Sequence, residues 1–197
     1  NGEKTFLRGV NRHQEYPFVG YATSAQADYR DAVKIKSAGF DYVRLSHYPH
    51  STAFMKAADE LGLVLLDAIL GWQYYNPTKE FEAHTLKACA DLLRRDRNHA
   101  SVIAWECSLN ESDMPGEFIA ALSDTVHAEY PGAYSAGWEL GYDIFVQARQ
   151  HRLQHYETPT VPYIVSEYGD WEYYAQNAGL NQDSWQDLQE DERTSRQ

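Results

Sequence analysis

The feature that most constrains this chain is an alternation of short apolar runs with segments of helical periodicity, repeated along its length. An apolar strand that feeds a helix and then another apolar strand is a βα unit, and its repetition builds a parallel sheet flanked by helices. Strands are expected at 5–11 (TFLRGVN), 42–47 (YVRLSH), 63–68 (LVLLDA) and 101–106 (SVIAWE). Shorter ones follow at 133–137 and 143–147, and a stronger one at 161–167 (VPYIVSE). The first helix is expected at 27–38, with Tyr29, Ala32 and Val33 as its apolar stripe and Gly39 as its stop. A second at 51–61 carries Phe54, Met55, Ala58 and Leu61 on one face before Gly62. The third starts at Pro77 and Thr78 and ends near Asn98, with Glu80 and Glu82 in its first turn and Arg94, Arg95 and Arg97 in its last, which matches the helix dipole. A fourth, 115–129, puts Phe118, Ile119, Leu122 and Val126 on one face, and the polar tail 181–197 is also expected to be helical.

This rhythm predicts an α/β fold of the (β/α)8 TIM barrel type, because no glycine-rich phosphate loop follows the first strand as a doubly wound sheet would require. Such barrels need about 250 residues. With 197 residues and six or seven readable strands, residues 1–197 are expected to form one barrel domain that is incomplete, without its last strand. An open barrel exposes a strand edge, which a second copy or further sequence would have to cover.

Composition excludes some partners. The 17 Lys plus Arg face 29 Asp plus Glu, a net charge of -12, so a surface built to neutralise phosphates is not expected and nucleic acid is not a partner. No apolar run approaches the roughly 20 residues of a bilayer span. The opening NGEKTFLRGV lacks a signal peptide's apolar core, which leaves the periplasm and the cytoplasm of a bacterium both open. Cys89 and Cys107 share no CxxC-type pattern and are expected to be buried thiols. The 5 Trp, 15 Tyr and 7 Phe cluster after strands, where rings can stack on sugars or simply pack.

In a parallel barrel the reactive groups come from the C-terminal ends of the strands. Those ends carry Asn11, Arg12 and His13; Arg44, Ser46 and His47; Asp67; Asn110 and Glu111; and Glu167. Two glutamates that each follow an apolar strand suit glycoside hydrolysis, where one carboxylic acid protonates the leaving oxygen and one carboxylate attacks or stabilises the anomeric carbon. Retention of configuration requires the pair to lie about 5 Å apart, inversion a wider gap that admits water.

The motifs RGVNRH (8–13), VRLSHYP (43–49), RDRNHASVIAW (95–105), NES (110–112) and SEYG (166–169) occur in the order in which glycoside hydrolase family two carries them. The chain therefore resembles the catalytic barrel of that family of retaining β-galactosidases, β-glucuronidases and β-mannosidases. The resemblance implies Glu111 as acid/base and Glu167 as nucleophile, with Arg44 the cation beside Glu167. Asn110 would bond the sugar's 2-hydroxyl, and His13 and His47 other hydroxyls, while Trp72 and Trp105 join the substrate-binding set. The implied activity is exo-acting, β-galactosidase-like hydrolysis of a β-linked glycoside or oligosaccharide.

There are departures from the family pattern. Trp105 precedes Glu111 by six residues through ECSLN, where the family has five, and a β-bulge at the strand end is the simplest way to absorb the extra residue. Glu106 is then a spare carboxylate, expected to serve as a local ion-pair partner, with replacement of Glu111 as the lesser option. Strand three ends in Asp67-Ala68-Ile69-Leu70 rather than the Asp-Glu-Ala-Asn of many β-galactosidases, so magnesium is not carried over and neither metal nor other cofactor is expected. Trp72, Tyr74 and Tyr75 in GWQYYN, and Trp138, Trp171, Tyr173 and Tyr174, could frame a sugar or pack as loops. The β-sandwich domains of family members do not appear in this stretch. Three other readings remain open: a carbohydrate-binding barrel without catalysis, a metal-dependent hydrolase using His13, His47 and Asp67, and an endo-acting β-glycanase.

Overall fold

The computed structural model describes residues 5–148 and 160–167. Among them β1 (Gly9–Arg12), β2 (Tyr42–Leu45), β3 (Val64–Ala68) and β4 (Val102–Glu106) alternate with α1 (Ala25–Ser37), α2 (Thr52–Leu61), α3 (Lys79–Asp96) and α4 (Gly116–Glu129). Then come β5 (Ala136–Gly137), β6 (Ile144–Ala148) and β7 (Tyr163–Glu167). Every strand pairing is parallel, in the orders β1-β2-β3-β4 and β5-β6-β7. A parallel bridge between Trp105 and Ser135 joins the two groups, and Asn11 Nδ2 donates to the Ser166 carbonyl at 2.6 Å, tying β1 to β7. The described residues thus form an open (β/α) barrel of seven strands. The expected tail helix and the rings Trp171, Tyr173 and Tyr174 lie outside them.

Successive residues of a strand face opposite sides of the sheet, so register decides which side chains enter the barrel. Tyr42, Leu66, Ala104, Ala136 and Val146 form the apolar interior layer. Two residues further along the same strands, Arg44 and Glu106 also face inward, so a polar layer sits directly above the apolar one. The opposite faces pack on the helices: Val43, Leu45 and Leu65 against Phe54, Met55 and Ala58 of α2. Trp105 packs the same way against Leu92 and Leu93 of α3 and Ile119 and Leu122 of α4.

The helix ends use the predicted residues. Thr78 caps α3 by accepting from the Phe81 amide at 3.3 Å, and Gly62 ends α2 in the left-handed conformation, φ 67°, that glycine adopts without penalty. Helix α1 differs from expectation. Its buried residues are Asp28 and Ala32, while Tyr29 and Val33 stay exposed at 43% and 37%. The cause is Arg12, which leaves β1 on the outer face and meets Asp28 Oδ1 at 2.8 Å and Asp31 Oδ2 at 2.9 Å, its guanidinium 4.1 Å from the Phe54 ring centroid. A buried guanidinium requires a carboxylate, and the helix turns Asp28 inward to supply it.

Two further expectations are corrected. Cys89 and Cys107 are not thiols but a disulfide joining α3 to the segment after β4. Closing a loop of 18 residues stabilises by about 3 kcal/mol through the unfolded chain's entropy. The bulge is not at ECSLN either: the register shift falls earlier in β4, opposite Leu65 and Leu66. At the end of β4 the chain turns tightly, with the Cys107 amide donating to the Trp105 carbonyl at 2.9 Å.

Loss of the buried partner of Arg12 should matter more than loss of the exposed one. Asp28→Ala is expected to cost about 3 kcal/mol and Asp31→Ala, about a third exposed, about 1 kcal/mol or less, read from denaturant midpoints at unchanged m-value.

Candidate active site

The polar layer is organised by Arg44, whose side chain is 1% exposed. Its Nε donates to Glu106 Oε2 at 2.8 Å and its Nη2 to Glu106 Oε1 at 2.5 Å, a bidentate pair between β2 and β4. Nη2 also donates to Asn110 Oδ1 at 2.9 Å, and Nη1 to Glu167 Oε1 at 2.8 Å and Asn11 Oδ1 at 3.5 Å. One guanidinium therefore binds groups from β1, β7 and the β4 end. Burial opposes its charge, but Glu106 and then Glu167 outweigh that and raise its proton affinity above an ordinary arginine's.

His47 follows β2 after a cis Ser46–His47 peptide. Its Nε2 lies 3.4 Å from Asn110 Nδ2 and 3.5 Å from Glu167 Oε1. Burial, with Arg44 and His13 adding positive charge nearby, pushes its pKa down to about 3. The ring is therefore neutral, and its approach to Glu167 is a polar contact rather than an ion pair, since Arg44 already supplies that carboxylate's counter-charge. His13 packs edge-on against His47 at 5.6 Å and is also shifted down, chiefly by burial.

Glu111 is set by the loops after β3 and β4, which continue the parallel pairing past the strands. The Asn110 amide donates to the Gly71 carbonyl at 3.0 Å, and the Gln73 amide to the Asn110 carbonyl at 2.8 Å. Gly71, at φ 147°, allows this approach, because a Cβ there would sit 2.5 Å from Leu109 Cδ2. Trp72 bridges to Asn110, stays 45% exposed and lies 6.3 Å from the His47 ring. Glu111 has φ 51° and accepts from Gln73 Nε2 at 2.8 Å.

Of the expected site residues, Arg44, His47, Asn110 and Glu167 are in direct contact, His13 and Trp72 flank them, and Glu111 follows Asn110 at the rim. Trp105 is the exception. It is 1% exposed on the outer face of β4, among the α3 and α4 side chains, and cannot reach a substrate in the barrel. Asp67, paired in register with Trp105, faces outward too. Its carboxyl is raised well above the usual range by burial and by Asp96 of α3, so His13, His47 and Asp67 are not assembled as a metal site. Among the described residues no group of three or more His, Cys, Asp or Glu is arranged to hold a metal ion, and no helix is long and apolar enough to cross a membrane. Tyr75 is a packing residue, bonded to Glu82 at 2.6 Å and set against Phe81 and Phe118. Glu106 is the ion-pair partner that its position suggested. Asn11, one of the strand-end polar residues, joins the network through Arg44 and Ser46, whereas Gln73 is a lone loop amide that no sequence pattern marks.

Residues 1–132 match glycosyl hydrolases family 2, TIM barrel domain. The chain belongs to this family. Glu111 lies inside the matched residues and Glu167 beyond them. Among family 2 relatives, a β-galactosidase of Thermoanaerobacterium thermosulfurigenes is 38% identical over 138 residues, 70% of this chain and 19% of that protein. A putative β-glucuronidase of Formosa agariphila is 29% identical over 147 residues, 69% of this chain and 18% of that one. The chain thus spans about a fifth of such relatives. The FMN-binding β-glucuronidase from Facaelibacterium prausnitzii L2-6 superposes with a TM-score of 0.78 at 26% identity, over 86% of this chain and 31% of that structure. A Bacteroides uniformis β-glucuronidase, 23% identical with a TM-score of 0.75 over 86% of this chain and 25% of its own, shares the fold.

His47 provides a pH test. Its folded pKa of about 3 lies below the unfolded value of about 6.5, so between these limits the unfolded chain binds more protons and stability falls as pH is lowered. His47→Gln should flatten the stability profile from pH 6.5 downward by up to about 1.4 kcal/mol per pH unit, measured by denaturant titration at each pH.

Proposed function

We propose that the protein carrying this chain is a retaining β-glycosidase, exo-acting and β-galactosidase-like, that works by double displacement through a covalent glycosyl-enzyme. The observation that carries this reading is Arg44, which holds Glu167 at 2.8 Å and Asn110 at 2.9 Å within one buried network. Family membership supports the reaction class, and the names of the relatives support a β-galactoside or β-glucuronide as substrate.

Glu167 is the proposed nucleophile. Arg44 holds one of its oxygens at 2.8 Å, which directs the carboxylate at the anomeric carbon. Glu111 is the proposed acid/base, giving its proton to the leaving oxygen as the C–O bond breaks and Glu167 bonds to carbon. In the second step Glu111 takes a proton from water, the water oxygen bonds to the anomeric carbon, and Glu167 leaves as carboxylate. Asn110 is anchored by Arg44 through its carbonyl oxygen and lies 3.4 Å from His47 Nε2 through its Nδ2, whose second N–H is proposed to meet the sugar's 2-hydroxyl. Neutral His47 can donate to or accept from a hydroxyl without competing for the nucleophile's charge, with His13 beside it and Trp72 offering a ring face. The β-galactosidase and β-glucuronidase names of the relatives favour this reading over a carbohydrate-binding barrel without catalysis.

Glu167→Gln in the full-length protein is expected to lower kcat/KM for aryl β-galactosides or β-glucuronides at least about a thousandfold. Unchanged turnover would remove Glu167 from the mechanism. Glu111→Ala should lose poor leaving groups by about 10²–10⁴-fold while sparing activated ones, with added azide trapping a β-glycosyl azide. The first product anomer, followed by NMR, should be β; an α first product would rule out retention.

A further inference from the structure

We infer that Gln73 is a positioning residue for Glu111, holding one carboxyl oxygen so that the other delivers the proton. This rests on the acid/base reading of Glu111 proposed above. Gln73 Nε2 donates to Glu111 Oε2 at 2.8 Å. The contact is built rather than incidental, because the two residues are the only described non-glycine positions besides Phe18 with positive φ, at 52° and 51°. Left-handed backbone costs an ordinary side chain about 1–2 kcal/mol and persists where its surroundings hold it.

Those surroundings are visible on both sides of the pair. The Gln73 amide donates to the Asn110 carbonyl at 2.8 Å, and the Tyr74 amide to Ser112 Oγ at 3.0 Å. Ser112 Oγ in turn donates to that Asn110 carbonyl at 3.1 Å. The loop after β3 is thereby laced to the loop after β4 immediately before and after Glu111. Two adjacent left-handed residues on paired segments send their side chains toward each other, and the amide meets the carboxyl.

The chemistry follows from the donor. An amide N–H suits Oε2 in both states of the cycle, whether Glu111 is ionised or carries its proton on Oε1. The proton is thus confined to Oε1 and leaves from one direction. Trp72 precedes Gln73, so a sugar stacked on that ring would bear on the same short segment that orients the acid.

The test uses the full-length protein and kcat/KM for aryl β-galactosides or β-glucuronides of graded leaving-group acidity. Gln73→Leu should lose about tenfold on the poorest leaving group and within about twofold on the most activated, where no proton is needed. The alkaline limb of its pH profile should move to higher pH, because the ionised form has lost a donor. In Gln73→Glu the limb should move further, since a second carboxyl opposes charge on Glu111. Gln73→Asn accepts the left-handed backbone but is one methylene shorter, and it must behave like Gln73→Leu if reach rather than folding is at issue. An equal fall for every leaving group with an unmoved limb, or no change at all, overturns the role of Gln73. Glu111→Ala run in parallel separates the two ideas. If it discriminates by leaving group and the Gln73 variants do not, only the positioning role fails; if it does not discriminate, the acid/base reading fails with it.

Discussion

The barrel interior depends on one buried cation. Arg44 is 1% exposed, and its five N–H donors are spread over Glu106, Asn110, Asn11 and Glu167. In a medium of low dielectric each of these contacts is stronger than in water, and each partner is costly to leave alone. Glu106, at 1% exposure with both oxygens on Arg44, has no other reason to be inside. That pairing fixes the guanidinium plane, and the remaining donors are then aimed at the residues from which the site is built.

The two faces of the strands put the same residue types to different use. Inward, Arg44 and Glu106 create a rigid charged layer over apolar side chains. Outward, Arg12 with Asp28 and Asp31, and Asp67 with Asp96 and Arg95, fasten strands to helices. Arg12 and Arg44 both come from strand ends, and both resemble site residues when read as letters. Period-two alternation and parallel register separate them, since Asn11 pairs with Arg44 while Arg12 pairs with outward-facing Leu45.

The elements were largely legible because strands and helices write their period locally. All four helices and seven strands that the structure describes overlap the segments that the apolar runs and end signals mark, although β1 starts four residues later than expected, at Gly9, and runs to Arg12. What was missed involves partners distant in sequence. Tyr29 and Val33 look like an inner stripe until Arg12 calls Asp28 inward. Cys89 and Cys107, 18 residues apart without a pairing pattern, meet only because α3 packs beside the β4 end. Trp105 sits within a family motif yet faces the helices, which a motif cannot express. Gln73 is one polar letter in a loop, and its contact with Glu111 arises from pairing between two loops.

The sequence by itself determined the βα order, the barrel type, the acidic surface and the glutamates that the family motifs carry, because these depend on residues close together or on an ordered set of motifs. Only the tertiary structure decided which side of each strand a residue faces, which carboxylate Arg44 locks and which it leaves at the rim, and how Asn110 and Glu111 are held. Those are matters of register and of contacts between segments far apart in sequence, 123 residues for Arg44 and Glu167 and 155 for Asn11 and Ser166, and no local pattern records them.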